Sequence, residues 1–151
     1  MFFIMNEEEK LNGKKLELMS EVTIYFDGSC GPKNPGGTAK GAWLLYDVDK
    51  NLIAKDCQVI CSGPTATNNL AEYGAITNAL KYVAGKLKHG SKINIKGDSQ
   101  IVIYQLIREY KCRKDTLKPY YEECLALLSD YGWQAHWIAR EENQEADTLS
   151  K

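Results

Sequence analysis

Residues 22–37 read VTIYFDGSCGPKNPGG, and two patterns meet inside them. Val22, Ile24 and Phe26 alternate with Thr23 and Tyr25, the two-residue period of a strand with one buried face. From Asp27 to Gly37 the chain is dense in Gly, Pro and Asn, which predicts a loop. A strand thus ends on a carboxylate. Downstream, 41–47 and 51–61 read as two further strands around a polar turn, so the first three strands form an antiparallel meander. The spacing of Leu70, Tyr73, Ile76, Leu80, Val83 and Leu87 predicts a helix over 70–87. A short strand at 92–96, helices at 98–110 and 119–130, a strand at 133–138 and a last helix at 143–151, with Asn143 as its cap, complete the pattern. A meander followed by βα units predicts an α/β mixed sheet with helices packed on it.

The chain has 151 residues, 44% hydrophobic and 26% charged, which suits one globular domain and argues against wholesale disorder. Residues 1–20 read as an N-terminal tail, ordered in part at most, and 21–151 as the domain. No apolar run approaches the roughly 18–20 residues of a membrane helix. Met1–Met5 is apolar, but no basic segment precedes it and no small-residue cleavage site follows, so it is not read as a signal peptide. With five cysteines at irregular spacings, reduced thiols and a cytoplasmic location are expected. Cys57 and Cys61 have no second Cys/His pair, which argues against structural zinc.

Net charge is −1, but it is unevenly spread. Residues 81–118 carry +7 and the rest −8. A basic third could face phosphates, or be a set of solvated lysines on helix surfaces.

Four acids stand where chemistry could use them. Asp27 and Asp98 end strands that would be neighbours, Glu72 opens the first long helix, and Asp147 lies on the last one. Taken singly, each reads as a cap, a turn residue or a solvated group. Gathered at one sheet edge, they repel one another unless a cation neutralises them. Mg²⁺ takes such oxygen ligands, and two ions about 3.5–4 Å apart can drive phosphodiester cleavage.

Five segments carry a family resemblance: TIYFDGS at 23–29, NPGG at 34–37, TNNLAEY at 67–73, IKGDSQIVI at 95–103 and NQEADTLS at 143–150. In this order and spacing the chain resembles the ribonuclease HI family over about 21–151. The resemblance implies a ribonuclease H-like fold, a five-stranded mixed sheet with three antiparallel and two parallel strands and helices on both faces. It implies an endonuclease that hydrolyses the RNA strand of RNA/DNA hybrids, leaving 5′-phosphate and 3′-hydroxyl ends. It implies Asp27, Glu72, Asp98 and Asp147 as ligands of two Mg²⁺ ions, with Mn²⁺ as an alternative. Asp27 would bridge the ions, Asp98 and Asp147 would orient ions and attacking water, and Glu72 would lie nearest the RNA 2′-hydroxyl.

The chain departs from many bacterial members in one respect. They carry a catalytic-loop His, whereas this loop is short and holds Arg140. This resembles a subgroup with Arg in that place, and a guanidinium grips phosphate but does not shuttle protons near neutral pH. By the same resemblance Ser29, Cys30 and Asn34 would contact the RNA strand, Thr67, Asn68 and Asn69 the DNA strand, and Gln100 the minor groove. The basic connection 111–118 is shorter than the protrusion of classical bacterial members. The expected partner is an RNA/DNA hybrid, with double-stranded RNA left open, no membrane, and a monomeric protein. The alternative is a nucleic-acid-binding module on the same fold without catalysis. A proofreading-type exonuclease would need Asp-x-Glu where this chain has Asp27-Gly28-Ser29.

Overall fold

The computed structural model describes Glu7 and residues 16–151. Five strands, β1 (Glu21–Gly31), β2 (Thr38–Tyr46), β3 (Leu52–Ser62), β4 (Lys92–Gly97) and β5 (Gly132–Trp137), form one sheet in the order β3-β2-β1-β4-β5. β1 pairs antiparallel with β2, and β2 with β3, while β1–β4 and β4–β5 are parallel. The helices are α1 (Asn68–Val83), α2 (Gln100–Leu106), α3 (Lys118–Leu128) and α4 (Gln144–Ser150), the last preceded by a 3-10 turn at Arg140–Asn143. This is the mixed sheet expected from the sequence.

The two-residue period places Val22, Ile24 and Phe26 of β1 in the core, fully buried or nearly so. They face α1, whose stripe of Leu70, Tyr73, Ile76, Leu80 and Val83 is buried against the sheet. Each such side chain contributes roughly 1.5–3 kcal/mol of hydrophobic stabilisation. Thr23 and Tyr25 point to the other face, where they line a cavity of about 470 Å³ together with Gln144 and Ala146 of α4. α4 therefore covers the opposite side of the sheet from α1.

Two close approaches fix α1 on the sheet. A Cβ at Gly28 would stand 2.5 Å from the Glu72 amide nitrogen, and one at Gly41 would stand 2.6 Å from the Ala71 carbonyl. Only glycine admits the helix at that distance, and the small Ala71, Ala75 and Ala79 on its inner side allow the same approach.

Some boundaries differ from the sequence reading. β1 continues through Asp27 to Gly31, because 27–31 still pair residue for residue with 38–42 of β2. The loop is thus confined to 32–37. α1 ends at Val83, followed by Gly85 at φ +76, not at Leu87. α2 ends at Leu106, and Arg108 turns the chain at φ +66. In the stretch read as a tail, Leu16 is fully buried in the main core, while 1–6 and 8–15 lie outside the described residues. Among the described residues no helix is long and apolar enough to cross a membrane.

Candidate active site

Parallel pairing of β1 and β4, from Glu21–Lys92 to Tyr25–Lys96, brings the end of β4 beside the later part of β1. Asp27 lies late in β1 and Asp98 follows the last residue of β4. α1 crosses at Gly28 and delivers Glu72, and α4 supplies Asp147 from the other face. All four line one polar cleft of about 310 Å³, together with Gly28, Ser29, Cys30, Asn68, Arg140 and Lys151. The four acids expected from the sequence therefore meet in one place.

The electrostatics of the cleft are hostile to its own charge. Burial pushes Asp27 up to about 6, against the Ser150 hydroxyl that pulls it down, and Asp98 and Asp147 add to the rise. Burial pushes Glu72 up to about 8, opposed by the Ser99 hydroxyl and reinforced by Asp27 and Asp98. Glu72 is 9% exposed, and its Oε2 is buried with no hydrogen-bond partner among the described residues. A buried acceptor without a donor is costly, and a cation relieves it.

Among the described residues no three His, Cys, Asp or Glu side chains close around a point as a ready cage for an ion. The carboxylates instead line the cleft, and Asp147 Oδ1 faces Lys151 Nζ at 3.4 Å and Arg140 Nη2 at 3.9 Å. This openness fits Mg²⁺, which keeps several waters and leans on one or two carboxylates plus substrate phosphate. Oxygen donors, mutual repulsion and an orphaned buried oxygen together suit a hard divalent cation.

Hydrogen bonds hold the strand-end acids in place. Asn143 is 2% exposed, and its Nδ2 donates to the Phe26 carbonyl at 2.9 Å and to Asp98 Oδ1 at 3.0 Å. The sequence predicts Asn143 as a helix cap, but it makes no capping bond. Its amide is spent on the site. Asp98 does not cap α2 either, since the Ser99 hydroxyl accepts from the Val102 amide. Ser150, fully buried, has its Oγ 2.9 Å from Asp27 Oδ2.

The residues named as substrate contacts divide. Ser29, Cys30 and Asn68 line the cleft. Asn34, Thr67, Asn69 and Gln100 lie outside its lining. Ser29 Oγ donates to the Ser150 carbonyl at 2.6 Å, and the Cys30 thiol faces the Lys33 carbonyl at 3.0 Å. Asn34 Oδ1 accepts from the Asn68 amide at 3.2 Å, tying the loop after β1 to the start of α1. Thr67 caps α1 by accepting from the Leu70 amide. Asn69 is half-buried and Gln100 is exposed at the start of α2. Arg140 reaches the cleft with its side chain 71% exposed. The sequence reading missed Lys151 and Ser150. For Ser150 the signal was present in its spacing from Asp147, a step of three that places both on one helix face.

A family described as Reverse transcriptase-like matches residues 25–151. Ribonuclease HI of Halobacterium salinarum is 34% identical over 131 residues, 85% of this chain and 62% of that protein. The chain spans 62–65% of the length of two of the curated relatives it matches. Among solved structures, RNase H1 from Halobacterium salinarum superposes with a TM-score of 0.75 at 31% identity, covering 85% of this chain and 93% of that one. LC11-RNase H1, solved in complex with an RNA/DNA hybrid, gives a TM-score of 0.74 at 26% identity, covering 85% and 92%. With the sheet order, the four-acid cleft and these matches in agreement, the chain belongs to the reverse transcriptase-like family, as a ribonuclease H-like domain of type 1.

Proposed function

We propose that the chain is an endoribonuclease that hydrolyses the RNA strand of RNA/DNA hybrids by two-metal-ion catalysis, leaving 5′-phosphate and 3′-hydroxyl ends. The observation that carries this reading is the convergence of Asp27, Glu72, Asp98 and Asp147 on one cleft, where burial and neighbouring carboxylates disfavour the charges of Asp27 and Glu72. The hybrid-bound structure of LC11-RNase H1 supports the choice of substrate.

The four acids would hold two Mg²⁺ ions, or Mn²⁺, once substrate is bound. Ions so held would supply the charge that activates a water and stabilises the leaving oxygen. The protein's own groups prepare the site for this. Asn143 fixes Asp98 and keeps one carboxylate oxygen oriented. Arg140 reaches over Asp147 and is free enough to grip a phosphate. It stays charged at all physiological pH values and does not act as a proton relay. This supports placing the chain with the Arg-containing subgroup. Ser29, Cys30 and Asn34 face the RNA strand, where 2′-hydroxyls distinguish RNA from DNA. Thr67, Asn68 and Asn69 take the DNA strand, and Gln100 takes the minor groove. The protein acts as a cytoplasmic monomer.

The test is cleavage of a hybrid labelled on the RNA strand, with Mg²⁺, Mn²⁺ or EDTA, beside double-stranded RNA and DNA. Metal-dependent internal cuts, abolished by Asp98→Asn, support the reading. Bound but intact hybrid under both metals refutes it in favour of a binding module.

A further inference from the structure

Ser150 is the last residue of α4 and is fully buried, in a seven-residue helix that otherwise buries only Ala146. A buried hydroxyl needs a partner. Its Oγ lies 2.9 Å from Asp27 Oδ2 and 2.9 Å from the Asp147 carbonyl. A hydroxyl has one proton to give. The stronger acceptor of the two is the carboxylate, because a hydrogen bond to an ionised group is roughly twice as strong as a neutral one. The Ser150 backbone is itself pinned, since Ser29 Oγ donates to its carbonyl at 2.6 Å. Ser29 lies two residues beyond Asp27 on the same strand. The donor and the carboxylate it serves are therefore held in one frame.

We propose that Ser150 is a positioning residue for Asp27, occupying Oδ2 and leaving Oδ1 presented to the cleft for a divalent cation. This rests on the proposed metal-dependent reading of the cleft. It assigns α4 a second task besides supplying Asp147. Asn143 at the end of the 3-10 turn and Asp147 and Ser150 on α4 lie in one short segment, which contributes one acid and holds two others, Asp98 and Asp27. Losing an interaction that orients a metal ligand typically costs about 10–100-fold in metal affinity or activity. Alanine at 150 removes the hydroxyl and leaves the packing of Ala146 intact.

The experiment titrates Mn²⁺ into the full chain and into Ser150→Ala by calorimetry, without nucleic acid, and records thermal midpoints with and without Mn²⁺. Hybrid cleavage is run in parallel. We expect Mn²⁺ binding about tenfold weaker in Ser150→Ala, kcat down by a similar factor, and KM for the hybrid unchanged. The metal-free midpoint should move little and the Mn²⁺-induced rise should shrink. Wild-type Mn²⁺ affinity in Ser150→Ala overturns the proposal, whether or not the midpoint falls, since a purely structural hydroxyl would change only stability. If Ser150→Ala shows no cooperative transition, Ser150→Cys is titrated. Its weaker donor should give intermediate affinity, and wild-type affinity there also overturns the proposal. Failure of the broader reading looks different. A wild-type chain that binds Mn²⁺ more tightly than Ser150→Ala, yet cuts no hybrid, keeps the positioning role and loses the nuclease. A wild-type chain that binds no Mn²⁺ and cuts no hybrid removes both.

Discussion

Asn143 bonds to Asp98 and to the β1 backbone with the same amide group. Its two N–H bonds go separately to Asp98 Oδ1 at 3.0 Å and to the Phe26 carbonyl at 2.9 Å. Both are made at once, since a primary amide has two donors. Asn143→Ala leaves a buried carbonyl without its partner, which costs about 1–3 kcal/mol. Asp98 is released in the same substitution. We expect a lower urea midpoint and at least about a tenfold loss of hybrid cleavage. Unchanged cleavage by a folded Asn143→Ala would show that Asp98 is held by other means.

Glu72 should make metal-free stability fall with rising pH. Its ordinary value of 4.5 is raised to about 8 in the folded protein. The folded state then binds more protons than the unfolded one between those values. Stability from the neutral acid is complete below about 4.5 and is lost as pH rises through about 8. Asp27, raised from 3.8 to about 6, acts in the same direction over a lower window. In EDTA, Glu72→Gln should flatten this profile and be the more stable protein at pH 9, by on the order of 5 kcal/mol. Urea denaturation at pH 5 and pH 9 checks this, and parallel losses in both proteins would contradict it.

Divalent cations should stabilise the chain by binding the folded state alone. At a hundredfold excess over the dissociation constant the gain is about 2.7 kcal/mol. Thermal midpoints should rise with Mg²⁺ or Mn²⁺ and return with EDTA. Asp27→Asn should abolish the response without lowering the metal-free midpoint, because it removes a carboxylate that burial already penalises.

Arg140 should matter to turnover and not to stability. Its side chain is 71% exposed and its contact with Asp147 is 3.9 Å. An exposed pair of this kind is worth about 0–1 kcal/mol. Arg140→Ala should lower cleavage by about tenfold or more while leaving the thermal midpoint in place, and Arg140→Lys should recover only part. Full activity in Arg140→Ala would make it a surface residue.

Gly41→Ala should damage the site from a distance. The new Cβ would stand 2.6 Å from the Ala71 carbonyl and 2.8 Å from the Ala75 amide nitrogen, both backbone atoms. Overpacking costs about 1–3 kcal/mol, and the helix that yields is the one carrying Glu72. We expect lower stability and lower cleavage together, read by urea titration and hybrid assay.

Much of this was legible in the sequence. The alternation of Val22, Ile24 and Phe26 and the stripe from Leu70 to Val83 report burial directly, so the sheet and α1 could be read. The four acids could be named from short segments and are found together. Strand continuation through Asp27–Gly31 was hidden, because Gly and Pro suggest a loop, whereas pairing with β2 decides the matter. The roles of Asn143 and Ser150 were hidden for another reason. A helix reads alike whether a polar residue caps it, faces solvent or reaches a partner more than a hundred positions away. Only the packing of α4 against β1 distinguishes these.

That packing joins segments 117 to 123 positions apart along the chain. α4 has seven residues, well short of the roughly 12–15 that make an isolated helix even marginal in water. It is helical because it is docked. Its opening is therefore a local unfolding event that needs less free energy than opening the sheet. One such fluctuation withdraws Asp147 and frees Asp27 and Asp98 together, so the site is either whole or dismantled. Amide hydrogen exchange over 144–150, faster than in β1, would then measure the fraction of molecules that are folded yet inert.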